Sequence, residues 1–238
     1  MSNMQSWKQN VGSIIDYAER IFPEVEIVTR SLSGEIVKSN YGQVAKRAKK
    51  LGSALESYGI KHGQNVGSLA LNTYRNMEMY YGISGMGAVM HTINFRLHPE
   101  QVVYIINHAE NRIIFLETVF APLLEAIQAN CPTVEQYVLL CSKEEMPETQ
   151  LKNAISYEEF IEEGNEEYEW PELGEDAPWA FVIHQEQLVI QKVFCILINQ
   201  PYYMPGLVLQ QMVLGSTKMT QYLWLCLCSM SWVGVCHI

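Results

Sequence analysis

The sequence predicts an α/β protein, on three observations. The chain has 238 residues, 48% of them apolar, which is enough to bury the core of one large domain or two small ones. Between Val25 and Leu140, short apolar runs typical of strands alternate with segments whose apolar residues recur at helical spacing. Glycine, proline and asparagine stand at many of the junctions. Because this alternation builds parallel sheets through right-handed crossovers, we expect a parallel sheet flanked by helices.

The first segments predict a helix followed by a β-hairpin. Trp7 to Phe22 carries a helical apolar stripe, and Pro23 ends it. Val25 to Arg30 alternates apolar and polar residues as a strand does. Ser33-Gly34 gives a turn, after which Glu35 to Lys38 returns as the partner strand.

A second helix follows, with Ser39 or Asn40 as its cap, and runs to Tyr58 before Gly59 closes it. A cationic outer face could bind an anion, but we predict a solvated helix face instead. That face is formed by Lys46, Arg47, Lys49 and Lys50.

The middle of the chain predicts a regular cycle of strands and helices. Pro99 fits the first turn of its helix, where the missing N–H costs nothing. The predicted strands are Val66–Leu71, Ala88–Ile93, Arg112–Glu117 and Gln136–Leu140, and the predicted helices are Thr73–Tyr81, Pro99–Ala109 and Val119–Ala129, the first of which Asn72 or Thr73 starts.

Three glycines, Gly82, Gly85 and Gly87, resemble a phosphate loop, but their order reverses the dinucleotide fingerprint. They also follow a helix and precede a strand, whereas the fingerprint lies between strand and helix. We therefore predict a tight helix-to-strand connection, with Gly82 and Gly85 allowing close packing and Gly87 a positive φ.

The histidines do not predict a catalytic site, and the acidic residues between Glu158 and Asp176, the acidic run, do not predict a metal site. His91, His98 and His108 lack a nucleophile elbow or a partner carboxylate, so we assign them packing or capping roles. The acidic run could hold a metal, but no ligand spacing repeats, so we predict a solvated surface helix and linker. Its members are Glu158, Glu159, Glu162, Glu163, Glu166, Glu167, Glu169, Glu172, Glu175 and Asp176.

Composition narrows the classes of function. The net charge of −10 argues against a nucleic-acid partner. Met1 to Asn10 has no apolar signal region, and no run of about 18 uncharged apolar residues predicts a membrane span. We therefore expect a cytoplasmic protein with reduced cysteines. Cys226-Leu-Cys228 lacks the spacing of a C-x-x-C pair.

Four segments and a short lead-in resemble the N-terminal portion of acyl-CoA synthetases, the AMP-binding, adenylate-forming superfamily. The similarity is strongest to the medium- and long-chain fatty-acid members and covers about residues 1–178. The segments are Asn72–Gly82 (NTYRNMEMYYG), Gly85–Leu97 (GMGAVMHTINFRL), Pro99–Gln101 and Tyr104–Ala109 (YIINHA), and the lead-in is Gly174–Pro178 (GEDAP).

The resemblance implies the first subdomain of the family's N-terminal domain, in which helices flank layered sheets. It implies that the intact enzyme activates a fatty acid with ATP and Mg²⁺, releases pyrophosphate and transfers the acyl group to coenzyme A; a homodimer is also possible. The first step needs a loop rich in glycine, serine and threonine to hold the triphosphate. In the family, this loop has a sequence similar to Tyr-Thr-Ser-Gly-Thr-Thr-Gly-Asn-Pro-Lys-Gly.

The chain departs from the family pattern at this loop. Val182 to Val193 reads VIHQEQLVIQKV, and from Phe181 to Ile238 the charged residues are Glu186, Lys192 and Lys218. Synonymous codons exist for which the displaced frame from Phe181 spells Cys-Tyr-Thr-Ser-Gly-Thr-Thr-Gly-Asn-Pro-Lys-Gly. The same displacement over Thr217 to His237 permits a sequence similar to the family's next motif. We infer a frameshift close to Pro178.

We therefore expect residues 1–178 to be part of the synthetase N-terminal domain and residues 179–238 to be an out-of-frame tail without a native fold. The fragment would be inactive as written, ending before the family's adenine-binding, Mg²⁺-binding and C-terminal regions. No catalytic, cofactor-binding or metal residue is assigned, and His184, Lys192 and His237 are interpreted as incidental.

Two alternatives stay open. The first is a non-catalytic binding or interaction module that keeps the adenylate-former fold. The second is a genuine, divergent β-rich end, because Leu188–Leu197 and Leu207–Val213 have strand-like composition.

Overall fold

The computed structural model describes residues 10–31, 34–174, 177–186 and 190–197. The N-terminal part forms the predicted helix, hairpin and helix, and residues 7–9 of the first predicted helix lie outside the described ranges. Asn10 caps the first helix by accepting from the Gly12 N–H, and Asn40 caps the second by accepting from the Gln43 N–H. Gly59 ends the second helix at φ 92°. The elements are α1 (Val11–Ile21), β1 (Glu26–Arg30), β2 (Ile36–Asn40) and α2 (Tyr41–Tyr58).

The predicted cycle of strands and helices is confirmed, with differences at its boundaries. The third helix extends to Gly85, four positions beyond its predicted end at Tyr81, and a short strand at Ala154–Ser156 was not predicted. The elements are β3 (Asn65–Leu69), α3 (Tyr74–Gly85), β4 (Val89–Thr92), α4 (Pro99–His108), β5 (Ile113–Leu116), α5 (Ala121–Ile127, flanked by 3₁₀ turns), β6 (Gln136–Leu139), β7 (Ala154–Ser156), α6 (Tyr157–Glu162), β8 (Pro178–Glu186) and β9 (Ile190–Leu197).

The main sheet has seven strands in the order β7-β6-β5-β3-β4-β8-β9, and β1 and β2 form a separate antiparallel pair. All neighbours in the main sheet are parallel except β8 and β9, which are antiparallel. The α/β class and its parallel sheet are therefore confirmed.

The core lies on both faces of this sheet. One face packs against α4 and α5, through residues such as Ile106 and Leu124. The other packs against α2, α3 and α6, through residues such as Leu55, Met79 and Ile161. These faces match the apolar stripes of the helices, and burial of such stripes supplies most of a helix's stability in a protein.

The prediction of a solvated cationic face on α2 is wrong for three of its four residues. Arg47, Lys49 and Lys50 are partly buried, whereas Lys46 is exposed. Each of the three forms ion pairs with acids of other elements: Arg47 with Glu78 and Glu158, Lys49 with Asp16 and Glu19, and Lys50 with Glu166. Neighbouring segments cover the side of α2 that carries these three residues. The helical periodicity of the sequence does not predict this coverage.

The acidic run is also only partly solvated. Glu162, Glu163, Glu167 and Glu169 are exposed as predicted. Glu158, however, lies in an ion-pair network, and Tyr168 and Trp170 within the same stretch pack onto the helices.

The sheet continues past residue 178. β8 lies parallel to β4, with Met90 opposite Ala180 and His91 opposite Phe181, and β9 lies antiparallel to β8. Residues 198–238 lie outside the described residues, as does the alternative strand Leu207–Val213. The division at residue 178 into a family domain and an out-of-frame tail stays a prediction. In the part of the chain that is described, no helix is both long and apolar enough to cross a membrane.

Candidate functional site

The topology of the sheet indicates where a ligand site is expected. From β3 the chain crosses to β4 through α3, and from β5 it crosses to β6 through α5. These two helices pack on opposite faces, so the connections diverge between the adjacent strands β3 and β5. In open parallel sheets, ligands bind beyond the carboxyl ends of the strands at such a point.

Glu117 lies at this point, directly after β5. Its N–H donates to the Leu69 carbonyl at 3.0 Å, which holds the residue against the end of β3. Its carboxylate accepts hydrogen bonds from the Leu71 backbone and the Thr73 side chain. Only 6% of the residue is exposed, and Oε1 forms no hydrogen bond with any described group. Burial raises the pKa of Glu117 to about 7, against the lowering effect of these hydrogen bonds and of Arg75.

A network of ion pairs adjoins Glu117 on the α3 side. Arg47 Nε donates to Glu78 Oε1 at 2.7 Å, and the Arg47 Nη atoms donate to both oxygens of Glu158 at 2.8 and 2.9 Å. Tyr157 donates to Glu78 Oε2 at 2.9 Å, and Arg75 Nη2 donates to Glu158 Oε1 at 3.1 Å.

The network has a structural role. Glu78 is fully buried and bonded through both oxygens, as a buried charge requires. Burial opposes ionisation of Glu158, but the hydrogen bonds and charge of Arg47, with Arg75, lower the pKa of this carboxylate. The network ties α2, α3 and α6 together, and Arg75 Nη1 also donates to the Leu140 carbonyl beyond β6.

The histidines have the predicted packing and capping roles. His91 is fully buried, its Nδ1 lies 2.7 Å from Asn111 Oδ1, and burial lowers its pKa to about 4, so the ring is neutral at pH 7. His98 is the N-cap of α4, and its N–H donates to Gln101 Oε1. His108 ends α4 and stacks on Tyr104, with centroids 5.6 Å apart.

The three glycines do not form a phosphate loop. Gly82 and Gly85 belong to the last turn of α3, and Gly87 alone of the three has a positive φ, 91°. A Cβ on Gly82 would lie 2.8 Å from the Ala48 carbonyl oxygen, and one on Gly85 would lie 2.8 Å from the Trp170 ring. The predicted packing roles are confirmed, although the connection begins later than expected.

The described residues offer few other reactive groups. Cys131 and Cys141 are buried free thiols, and burial raises the pKa of each to about 11, so both stay protonated at pH 7. Within the described ranges, no three His, Cys, Asp or Glu side chains are grouped to hold a metal. An open groove of about 920 Å³ lies between α1, α2 and residues 166–173, and Glu117 is not among the residues that line it.

Sequence reasoning missed Glu117 and the buried part of the ion-pair network. An acidic residue directly after the apolar run Ile113–Leu116 could have identified Glu117, because such positions lie at the carboxyl edge of a parallel sheet. No comparable signal identifies Glu78, which lies within a helix and could equally have faced solvent.

The order of the strands and the carboxyl edge of the sheet at Glu117 define an open parallel α/β domain. Residues 18–182 match the sequence model of the family described as "AMP-binding enzyme". The chain therefore belongs to the AMP-binding enzyme family, as the resemblance predicted.

The chain is also similar in sequence to curated CoA ligases. The chain is 41% identical over 165 residues to 3-methylmercaptopropionyl-CoA ligase of Ruegeria pomeroyi, covering 69% of this chain and 31% of the relative. It is 37% identical over 166 residues to the medium-chain-fatty-acid–CoA ligase of Ectopseudomonas oleovorans, covering 70% and 30%. The chain thus spans about a third of the length of these relatives.

Solved structures support the fold. The chain is similar to the anthranilate CoA ligase AuaEII, with a TM-score of 0.70 and 20% identity, covering 80% of this chain and 35% of that one. It is also similar to a long-chain-fatty-acid-CoA ligase from Archaeoglobus fulgidus, with a TM-score of 0.68 and 16% identity, covering 82% and 38%. The predicted N-terminal fold of the adenylate-forming enzymes is confirmed.

Proposed function

We propose that the chain derives from an ATP-dependent, AMP-forming acyl-CoA ligase whose reading frame is displaced after about Phe181, and that it does not catalyse the reaction itself. The observation that carries the proposal is the end of the family match at residue 182, where the composition changes. Similarity to ligases of medium-chain and long-chain fatty acids supports a fatty acid as the ancestral substrate.

The residues at the end of β8 do not fit a triphosphate. Phosphate loops expose backbone N–H groups from turns rich in glycine, with serine or threonine hydroxyls beside them. Val182 to Glu186 has none of these residue types, and its backbone is a strand paired with β9, with His184 opposite Lys192 and Glu186 opposite Ile190. This segment therefore does not form the phosphate loop that would hold ATP and Mg²⁺.

Inactivity follows from this misfit. Adenylyl transfer depends on fixed donors that position the phosphates and stabilise the charge that develops on them. An extended strand, whose N–H groups point alternately to its two sides, does not bring several such donors together around a phosphate. Glu117 does not replace them, because one carboxyl group does not supply the set of N–H and hydroxyl donors that a phosphate loop provides.

The gene sequence tests the displaced frame directly. We expect codons from Phe181 onward that spell the glycine-, serine- and threonine-rich loop in the displaced frame. Codons incompatible with that loop would remove the frameshift from the proposal.

The activity of the 238-residue protein is a separate test. Purified protein is mixed with ATP, Mg²⁺, a fatty acid and coenzyme A, and pyrophosphate release is measured. We expect no release above background, and release from the protein made by a gene with the restored frame. Turnover by the 238-residue chain would contradict the proposal. Inactivity of both proteins, with saturable binding of another partner, would favour the non-catalytic module.

The remaining partners and the location are also proposed. Fatty acid and coenzyme A would bind the frame-restored enzyme, and a homodimer is possible there. The net charge of −10 supports the absence of a nucleic-acid partner. The free thiols of Cys131 and Cys141 support the cytoplasm.

A further inference from the structure

A strap, residues 164–174, crosses α1, α2 and α3 before the chain enters β8. Trp170 is its central contact. The indole ring lies over three glycines, one from each helix: a Cβ would lie 2.5 Å from the ring on Gly12, 3.0 Å on Gly52 and 2.8 Å on Gly85. A Cβ on Gly12 or Gly85 would therefore collide with the ring, and one on Gly52 would be in tight contact with it; we call this arrangement the three-glycine socket.

Polar contacts fix the orientation of the ring and its neighbours. The Trp170 indole Nε1 donates to Asp16 Oδ1 at 3.1 Å, and Asn10 Nδ2 donates to the Pro171 carbonyl at 2.9 Å. Tyr168 meets the indole edge to face, with centroids 5.5 Å apart. The strap is thus held at its centre by both packing and hydrogen bonds.

Both sides of Trp170 are anchored as well. Towards the N-terminus, Lys50 pairs with Glu166 at 3.0 Å. Towards β8, Leu173 is buried, and its Cδ2 would lie 2.7 Å from a Cβ on Gly87. The strap therefore delivers the chain to β8 from a fixed position next to the turn before β4.

Few paired residues set the register of β8 on β4, although β8 forms eight residue pairs with β9. Its ladder with β4 contains two residue pairs, Met90 with Ala180 and His91 with Phe181. The Ser84 hydroxyl donates to the Trp179 carbonyl at 2.8 Å, and Tyr80 packs against the Trp179 ring. A slip of one residue would turn Ala180, which is buried, to the opposite face of the sheet.

We propose that Trp170 in the three-glycine socket is a positioning residue that fixes the register of β8 on β4. Resting on the proposed function, it also fixes where the nucleotide loop begins in the frame-restored enzyme, because that loop would start in β8 directly after the residues that pair with β4. The residues act through the strand and do not touch the nucleotide.

Hydrogen exchange of the full 238-residue protein tests the first statement. We expect Trp170→Ala to speed exchange of the β8 amides about tenfold or more, and the amides of β5 and β6 to keep their rates. Trp170→Phe, which keeps a ring in the socket, should have a smaller effect. Tyr104→Ala, at an exposed aromatic on α4, is the matched control and should leave β8 unchanged.

A double-mutant cycle tests the socket itself. Gly85→Ala should speed β8 exchange when Trp170 is present, because the new methyl group collides with the ring. It should have no such effect in a Trp170→Ala background, where the ring is gone. Equal effects in both backgrounds, or equal acceleration of β5, β6 and β8, would contradict the proposal. If Trp170→Ala does not fold, Trp170→Leu, which also removes the ring but keeps an apolar side chain, takes its place in the cycle.

The frame-restored protein tests the consequence for catalysis. We expect Trp170→Ala to raise the KM for ATP about tenfold with a smaller change in kcat. Inactivity of the frame-restored wild type would count against the proposed function alone. Unchanged β8 exchange in the 238-residue variants would count against the positioning role alone, so the two failures are distinguishable.

Discussion

At the edge of the sheet, Glu117 has a buried carboxyl group whose pKa is raised. It is buried next to the ends of β3 and β5, and two hydrogen bonds do not fully compensate for the lost water. The raised pKa means that the folded protein holds this proton at pH values where an unfolded chain has released it.

The contribution of Glu117 to the stability of the protein should therefore fall as pH rises through this range, whereas the contribution of His91, whose pKa burial lowers to about 4, should rise. Between the ordinary carboxyl pKa, 4.5, and the raised value of about 7, the native state binds more protons at Glu117 than the unfolded state. We expect the Glu117 contribution to the free energy of unfolding to drop by about 2–3 kcal/mol between pH 5 and pH 8, seen as the difference between the pH profiles of the wild type and Glu117→Gln. Urea unfolding at several pH values measures it.

Glu144→Gln, at an exposed carboxylate, is the control and should leave the pH profile as in the wild type. A profile that Glu117→Gln leaves unchanged would show that burial does not disfavour the charged form of Glu117.

Other residues differ in how far sequence reveals them. The packing and capping roles of His91, His98 and His108 could be predicted from the sequence, because no nucleophile elbow or partner carboxylate accompanies them. The role of Arg47 was missed, because its partners Glu78 and Glu158 are 31 and 111 positions away. Ion pairs of this separation leave no local pattern.

At the scale of elements, α2 and α3 approach each other closely. Gly82 allows this approach, because a Cβ there would lie 2.8 Å from the Ala48 carbonyl oxygen and 2.9 Å from Leu51 Cδ2. The backbone oxygen leaves little room for adjustment. A glycine inside a helix weakens the helix by about 1 kcal/mol relative to alanine, so packing has prevailed over propensity here.

Gly82→Ala should destabilise the protein even though it favours the helix. We expect the free energy of unfolding to fall by about 1–3 kcal/mol, since overpacking at a backbone contact outweighs the propensity gain. Chemical denaturation measures the change. Gly174→Ala is the control, because a Cβ there meets no atom within 4 Å. Equal stability of the two variants would show that the helices move apart at no cost.

Element boundaries were predicted where local chemistry sets them. Asn40, Gly59 and Pro99 mark helix ends as expected, because capping depends on residues a few positions apart. The end of α3 was placed too early, because its glycines favour termination locally while packing against α2 and the strap keeps them helical. β7 was missed because it has only three residues, and its pairing partner β6 is what defines it.

At the scale of the whole molecule, the parallel sheet and its two helix layers form the folded unit. The displaced-frame proposal implies that residues 198–238 add no family packing to that unit. Deleting them should leave the unfolding midpoint within about 2 °C of the full chain.

Deletion from Pro178 onward makes the matched comparison, because it also removes β8 from the edge of β4 and should lower the midpoint. A drop above about 5 °C on deleting residues 198–238 alone would contradict the out-of-frame interpretation.

The sequence by itself determined the α/β class, most of the helices and strands, and the family. These depend on periodicity, caps and a long motif, all of which are local in the chain. The tertiary structure alone decided the surroundings of Glu117, the partners of Arg47 and the seat of Trp170 on Gly12, Gly52 and Gly85. Burial and close contact join residues that are far apart in the chain, so the physical consequences appear only when the elements pack.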